Sequence, residues 1–395
     1  MTAIERSCEG IPQVDAPLRI TMLGIRGFPN VQGGAENHAE NLSVRLTELG
    51  CEVEVIVRSP YVPRQSRATF AGTKLVRVWS PRIKGVEAVV HTFLGVLRAA
   101  WTRPDILHIH SVGPALLTPL ARALALRVVV THHLANYENR KWGPMARLIL
   151  RLGERAGMMF ANGRIAVSAV LANRMERTYR VPIATIPNGV RRPREVQSTR
   201  VLTAFGLEPA RYVLTVARLD EQKRQLDLIK AYARIPSPPW KLALVGGADY
   251  ASVYARAVVQ AASATAGVVL LGRQTGEALS ELYTHAGVFV LPSSHEGQPI
   301  AVLEAMSYGC PTILSDIPSH REIAAASARF VAVGDIAALA KELRRTFASA
   351  DRRLDARDQD QFMRRHDWRE IARHTVDVYR SALPRRADQP SSRRG

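Results

Sequence analysis

Cysteine is scarce in this 395-residue chain: Cys8, Cys51 and Cys310 stand far apart and are odd in number. That excludes a disulfide framework and a CxxC metal cluster, and it makes a reducing cytoplasm the expected setting. Long apolar runs are also lacking. No stretch reaches the roughly 18 residues of a membrane span, and the opening MTAIERSCEGIPQVDAP has no signal-peptide core. A soluble, cytoplasmic protein is expected. Acidic residues are in deficit, 35 against 54 Lys and Arg, for a net charge of +19. The excess is spread out: 24 basic and 13 acidic residues over 1–190, 30 and 22 over 191–395. No single basic tract therefore marks a nucleic-acid partner. The fingerprint G-x-G-x-x-G is missing too. The first glycine-rich loop reads Gly24-Ile25-Arg26-Gly27, and the next strand ends Val57-Arg58 without an acid, so a nicotinamide dinucleotide is disfavoured.

What is present is a globular composition, 47% apolar and 23% charged, in a length suited to two or three domains. Apolar strands are expected at 18–24, 53–57, 106–109, 128–131, 165–167 and 185–187. Helical patterns separate them at about 35–49, 87–101, 114–125, 143–160 and 169–179. A polar, proline-bearing stretch, RRPREVQSTRV at 191–201, reads as a linker. The alternation then restarts with strands at 212–216, 242–245, 268–271, 288–291 and 312–314. Strand–helix alternation requires parallel pairing with helices on both faces. The fold expected is α/β: two Rossmann-like, doubly wound parallel-sheet domains, 1–190 and 200–366, facing a central cleft. A last helix at 367–382 is expected to pack back toward the first domain, with a flexible tail over 383–395.

Ligands of such sheets bind beyond the carboxyl ends of the strands. There the first loop brings Gly33 and Gly34 to a helix start, either to admit a phosphate or only to shape the turn. In VLTVARLDEQKRQ, Arg218 ends a strand and Lys223 follows five residues later, a pair able to neutralise a diphosphate. In LPSSHEGQPIAVLEAMSYGCP, Glu296 lies in a strand-to-helix loop and Glu304 on the apolar helix that follows. A carboxylate on such a helix needs a partner, which ribose hydroxyls or a buried salt bridge would supply.

R-x4-K at Arg218/Lys223, E-x7-E at Glu296/Glu304 and Gly33-Gly34 together resemble glycosyltransferase family 4, retaining nucleotide-sugar enzymes of the GT-B fold. THHLANYENRKWG, IPNGV, LGRQTGEALSELYTHAGVFVLPS and HDWREIARHTVDVYR match in order, over about 18–381. The resemblance implies that Glu304 binds the ribose and Glu296 the donor sugar, while Arg218 and Lys223 hold the diphosphate with the amides of Gly33 and Gly34. It also implies that Gly272 and Arg273 frame the base and that His133 lies beside the transferred sugar, with His132 in a packing role. The family's EGFGLP is EGQPIA here, so Pro299 replaces an amide donor and sugar contacts fall to Gln298, Ile300 or Ala301. The loop IRGFPNVQGGAE is similar to a rhamnosyltransferase-like subgroup, with Gln32 in place of its tyrosine.

The resemblance implies a nucleoside-diphosphate sugar as donor and a glycan or lipid-linked acceptor, in cell-surface polysaccharide biosynthesis. No cofactor is expected. Asp358-Gln359-Asp360, the one D-x-D, sits in a charged run and reads as solvated surface, so metal independence follows. The helix at 143–160 sets Arg147, Arg151 and Arg155 four residues apart, with Met145, Leu148, Leu152 and Met159 on another face. It suits an anionic membrane surface or a plain solvated exterior, and Trp101, Trp142 and Tyr137 would either flank an acceptor groove or pack. Two other functions share the scaffold: a nucleotide-sugar epimerase, and a noncatalytic basic adaptor.

Overall fold

The computed structural model describes residues 16–29, 31–62, 67–83, 86–138, 143–194, 196–248, 252–324, 328–348 and 354–384. Trp142 and the expected tail beyond residue 384 lie outside them. The first sheet contains β1 (Arg19–Leu23), β2 (Glu52–Arg58), β3 (Thr69–Phe70), β4 (Thr73–Val78), β5 (Ile106–His110), β6 (Val128–His132), β7 (Gly163–Ala166) and β8 (Ala184–Thr185). Its spatial order is β3-β4-β2-β1-β5-β6-β7-β8, parallel except for the β3–β4 pair. Its helices are α1 (Gly34–Glu48), α2 (Val86–Thr102), α3 (Thr118–Ala123), α4 (Pro144–Phe160) and α5 (Ala169–Tyr179).

The second part opens with α6 (Arg200–Ala204) and β9 (Tyr212–Val216), then α7 (Gln225–Ala233), β10 (Lys241–Val245), α8 (Val253–Ala264) and β11 (Val268–Gly272). It continues with α9 (Gly276–Thr284), β12 (Val288–Leu291), α10 (Ile300–Ser307), β13 (Thr312–Ser315), α11 (Pro318–Ile323), β14 (Arg329–Val331), α12 (Ile336–Ala348) and α13 (Ala356–Arg365). The sheet order is β11-β10-β9-β12-β13-β14, all parallel. Apolar clusters cover both faces of each sheet, which is why the central strands read as unbroken apolar runs.

Strand order reverses between β1 and β5 in the first sheet and between β9 and β12 in the second. Those reversals open crevices at the carboxyl ends, the places where doubly wound sheets take ligands.

The last helix, α14 (Trp368–Ala382), is capped by Asp367, whose carboxylate accepts from the Arg369 amide at 2.7 Å. Trp368, Ile371, Ala372, Thr375, Val376 and Tyr379 are buried at helical spacing, and the apolar members join the core that includes Ile20, Val129 and Ile165. Two crossings therefore link the domains, and they touch. The Val190 amide donates to His366 O at 2.9 Å, and a Cβ on Gly189 would lie 2.5 Å from the Trp368 indole.

Helix α4 departs from a simple amphipathic reading. Its inward side carries the small Gly153, Ala156 and Gly157 beside Glu154 and Met158, and a Cβ on Gly153 would sit 2.1 Å from Val112 O. Met145, Leu148, Leu152 and Met159 are consequently exposed beside Arg151 and Arg155. Trp101 is 89% exposed, whereas Tyr137 is buried and its hydroxyl donates to Glu154. Asp358 and Asp360 are exposed on α13.

Candidate active site

At the second sheet's reversal, the chain leaves β9 at Arg218, whose carbonyl accepts from Gln225 Nε2 at 2.7 Å. Asp220 caps the short turn Glu221–Lys223, and this turn aims Lys223 across the crevice. Its Nζ lies 2.5 Å from Glu296 Oε1, on the loop after β12, and the two side chains are only 15% and 6% exposed. The Ser294 amide donates to Gln222 O at 2.8 Å, locking the two loops together. The sequence places both residues at strand ends but gives no sign of this pairing across 73 positions. Behind the pair, His320 is fully buried and accepts or donates through Nδ1 at Ser315. Burial lowers its pKa, with the Glu296 charge opposing and the Lys223 charge assisting.

Glu304 lies on α10 with Oε2 receiving the Tyr283 hydroxyl at 2.9 Å. Burial pushes its carboxyl up to about 7, against the Tyr283 hydrogen bond and the Arg191 charge, which both lower it. The group thus titrates near neutrality. Gly272 ends β11 in the left-handed region at φ +64°, with open space at its Cβ position, and Arg273 beside it is exposed.

On the first sheet, Gly33 precedes α1. A Cβ there would lie 1.9 Å from Glu36 Oε2, the carboxylate that pairs with Arg26 at 3.0 Å. Gly34 differs: nothing lies within 4 Å of where its Cβ would be. Packing explains the first glycine and leaves the second facing free space at a helix N-terminus.

Beside this loop is a histidine cluster. His110 Nδ1 lies 3.1 Å from His133 Nε2, and the His38 ring stands 4.8 Å from that of His133. Burial lowers the His38 pKa to about 4 and holds His110 and His133 well below the usual range, their mutual repulsion assisting. At neutral pH these rings are uncharged, and His110 and His133 share a hydrogen bond. Among the described residues they form one group whose ligand atoms could meet at a metal, and no carboxylate belongs to it. His38 and His110 are absent from the sequence-derived site. The signal was the alternation Ile-Leu-His-Ile-His in β5, which sets His108 and His110 on one face of an otherwise apolar strand. His132 does more than pack: its Nε2 lies 2.8 Å from Glu154 Oε2 of α4.

The two sides meet. A Cβ on Gly297 would fall 1.7 Å from His133 O, so the Glu296 loop lies directly on the His133 loop. Asn188 Nδ2 donates to Gln298 O at 2.9 Å and the Asn188 amide to Gln298 Oε1 at 2.5 Å, while Asn188 Oδ1 faces His38 Nδ1 at 2.8 Å. Gln298 thus accepts two bonds across the interdomain contact, through its carbonyl and Oε1. Ile300 is buried at the start of α10. Glu322 of α11 accepts from the Ala169 and Val170 amides at 2.6 and 3.0 Å, capping α5 from the other domain.

Two parallel sheets with a cation–carboxylate pair at one reversal and a glycine loop with histidines at the other define a two-domain α/β enzyme with an interdomain site. Residues 32–194 match the model of Glycosyltransferase Family 4, and residues 205–362 that of Glycosyl transferases group 1. The chain belongs to this family of GT-B glycosyltransferases and is a glycosyltransferase. It is 27% identical to the alpha-maltose-1-phosphate synthase of Mycobacterium tuberculosis over 92% of this chain and 99% of that one. It is 32% identical to GDP-mannose:cellobiosyl-diphosphopolyprenol alpha-mannosyltransferase of Xanthomonas campestris, over 44% of this chain and 48% of that one. Sucrose-phosphate synthase from Thermosynechococcus elongatus has the same fold, with a TM-score of 0.78 and 22% identity over 92% of this chain and 98% of that one. So does Anabaena HepE, solved with UDP-glucose, with a TM-score of 0.74 and 17% identity over 92% and 100%.

Proposed function

We propose that the protein is a retaining glycosyltransferase that moves a sugar from a nucleoside diphosphate to a glycan or lipid-linked acceptor in cell-surface polysaccharide synthesis. The observation that carries this reading is Lys223 held 2.5 Å from Glu296 at the β9/β12 reversal, with Gly34 open at a helix start of the first domain. The Xanthomonas relative, whose acceptor is a diphosphopolyprenol, and HepE, which holds UDP-glucose, support it.

In this scheme Arg218 and Lys223, with the Gly33 and Gly34 amides, take up charge on the departing diphosphate. Glu304 binds the ribose, Gly272 and Arg273 frame the base, and Glu296 with the Ile300 amide orients the sugar. The bond from the anomeric carbon to the diphosphate oxygen breaks as the acceptor hydroxyl attacks the same face, and its proton passes to the leaving phosphate oxygen. Neutral His133 accepts a hydrogen bond from the sugar. No step calls on a metal. The protein works on the cytoplasmic side of the membrane, with the exposed apolar and arginine-bearing face of α4 against anionic lipid.

The test is incubation with UDP-, GDP-, dTDP- and ADP-sugars in EDTA, with and without acceptor, followed by NMR of the anomeric proton. Transfer with retained configuration only when acceptor is present is expected. Donor consumed without acceptor to give its epimer, or an inverted product, would overturn the proposal.

Two further results follow. Ionised Glu304 binds the ribose hydroxyls, and with its pKa at about 7 its ionised fraction falls about tenfold between pH 8 and pH 6. Nucleotide affinity should weaken by that factor over this range, and calorimetry of Glu304→Gln should show a flat profile. In the empty protein the sign is opposite for stability. The raised pKa makes this group's contribution present below the unfolded value and lost as pH rises through about 7. Gly34→Ala places its methyl in open space, so unfolding free energy should stay within about 0.5 kcal/mol. Nucleotide affinity should drop about tenfold, the scale of a displaced charged hydrogen bond. Unchanged affinity would assign this glycine to turn shape alone.

A further inference from the structure

A second pocket, of about 650 Å³, opens at the carboxyl ends of β2 and β4, within the usual size of a ligand site. Its wall includes Arg77, Arg82, Trp79 and Ser80, and none of the described lining residues is acidic. Trp79 is 62% exposed. Ser80 is buried, and its hydroxyl has no hydrogen-bond partner among the described residues. A buried orphan hydroxyl is costly unless a ligand satisfies it. Backbone bonds tie its rim to the glycine loop: the Ser59 amide donates to Val78 O, and the preceding Arg58 amide donates to Arg26 O in the loop that leads to Gly33.

Helix α2 starts at the pocket's rim, where Arg58 and Tyr61 clamp Glu87 at 3.0 and 2.9 Å. From there Val86, Val89, Phe93, Leu97 and Trp101 follow each other along one exposed face. The strip carries no charge and runs about 22 Å at 1.5 Å per residue. The helix's own charged groups turn aside, Glu87 to Arg58 and Arg98 to Glu54. Cationic, hydroxyl-bearing space at one end of a narrow apolar track complements an amphiphile with an anionic head and one long chain.

We propose that this pocket binds the phosphate of a lipid-carried acceptor, with the first part of its single hydrocarbon chain lying along α2. The inference rests on the transferase reading and assigns its acceptor a place. A phosphate held there leaves the acceptor's sugar end to extend along the Arg58–Arg26 loop toward the cleft.

The probe is farnesyl diphosphate, titrated into the full-length protein, with inorganic pyrophosphate as the chainless control. Farnesyl diphosphate should bind at least tenfold more tightly than pyrophosphate. The double variant Arg77→Ala/Arg82→Ala, both exposed positions, should lose at least thirtyfold, and Phe93→Ser/Leu97→Ser should erase the preference for the chain. Lys223→Ala should bind farnesyl diphosphate like the wild type. Loss of binding in Lys223→Ala would put the probe in the donor cleft and overturn the proposal, as would wild-type binding by both double variants. Equal competition by phosphatidylglycerol vesicles would instead make the surface a general lipid contact and overturn it too. Nucleotide binding in the arginine variants separates the two readings. Retained nucleotide affinity with unchanged farnesyl diphosphate binding refutes this site alone, and absent nucleotide binding in the wild type refutes the transferase scheme.

Discussion

Lys223→Ala is expected to lower kcat by about two to three orders of magnitude, the scale of deleting one preorganised donor to a developing anion. The Lys223 ammonium ends a turn whose backbone is fixed by Asp220 and by the Ser294 amide, so its position at the crevice is set before charge arrives. The same substitution strips Glu296, 6% exposed, of its cation. A buried carboxylate without its partner costs stability, so Tm should fall as well. Combining Lys223→Ala with Glu296→Gln removes both charges and should restore much of the lost Tm while leaving kcat at least as low as in Lys223→Ala. Recovery of turnover in the double variant would show that the lysine serves only to neutralise the glutamate.

Gly297→Ala is the second large effect. Its methyl would collide with His133 O, a backbone atom that moves only with the whole loop. The two loops would part by an ångström or more, and misplacement on that scale costs about a hundredfold. The loss should appear in kcat with the acceptor saturating. Nucleotide affinity, most of whose contacts come from Arg218, Lys223 and Glu304 on the second domain, should change less than the turnover. Normal turnover would mean that catalysis takes place with the two loops apart.

Much of this architecture was legible from runs such as Ile106–Ile109 and Val128–Thr131, because strands buried on both faces carry apolar residues throughout. The hairpin β3–β4 escaped because Lys74 and Arg77 alternate with apolar neighbours on a strand near the sheet edge. The helix expected at 114–125 is a 3-10 turn at Pro114–Leu117 followed by α3, and Pro119 marks the break. In α4 the expectation followed large apolar side chains, whereas the closest approach to its neighbours in the first domain is made at Gly153, Ala156 and Gly157, with Met158 beside them. Close helix approach is a demand for small volume, which an apolar-moment argument reads backwards.

The site divides in the same way. Arg218, Lys223 and Glu296 could be placed beforehand because each sits where a strand hands over to a helix, and Glu304 because it lies on the helix that follows. Partnerships could not. The Lys223–Glu296 bridge spans the β9/β12 reversal, the His110–His133 contact joins the ends of neighbouring strands β5 and β6, and the Asn188–Gln298 clasp joins the two domains. The raised pKa of Glu304 likewise depends on enclosure by neighbours that its own helix does not supply.

The return of α14 to the first sheet makes that half of the molecule discontinuous in gene order. A fragment ending at residue 190 would lack Trp368, Ile371 and Tyr379 from its own interior, including the hydroxyl 2.7 Å from His108. Ribosomal synthesis must therefore pass Tyr379 on α14 before the amino-terminal half can close. A stop codon near residue 366 would injure the half made first and leave most of the half made second intact.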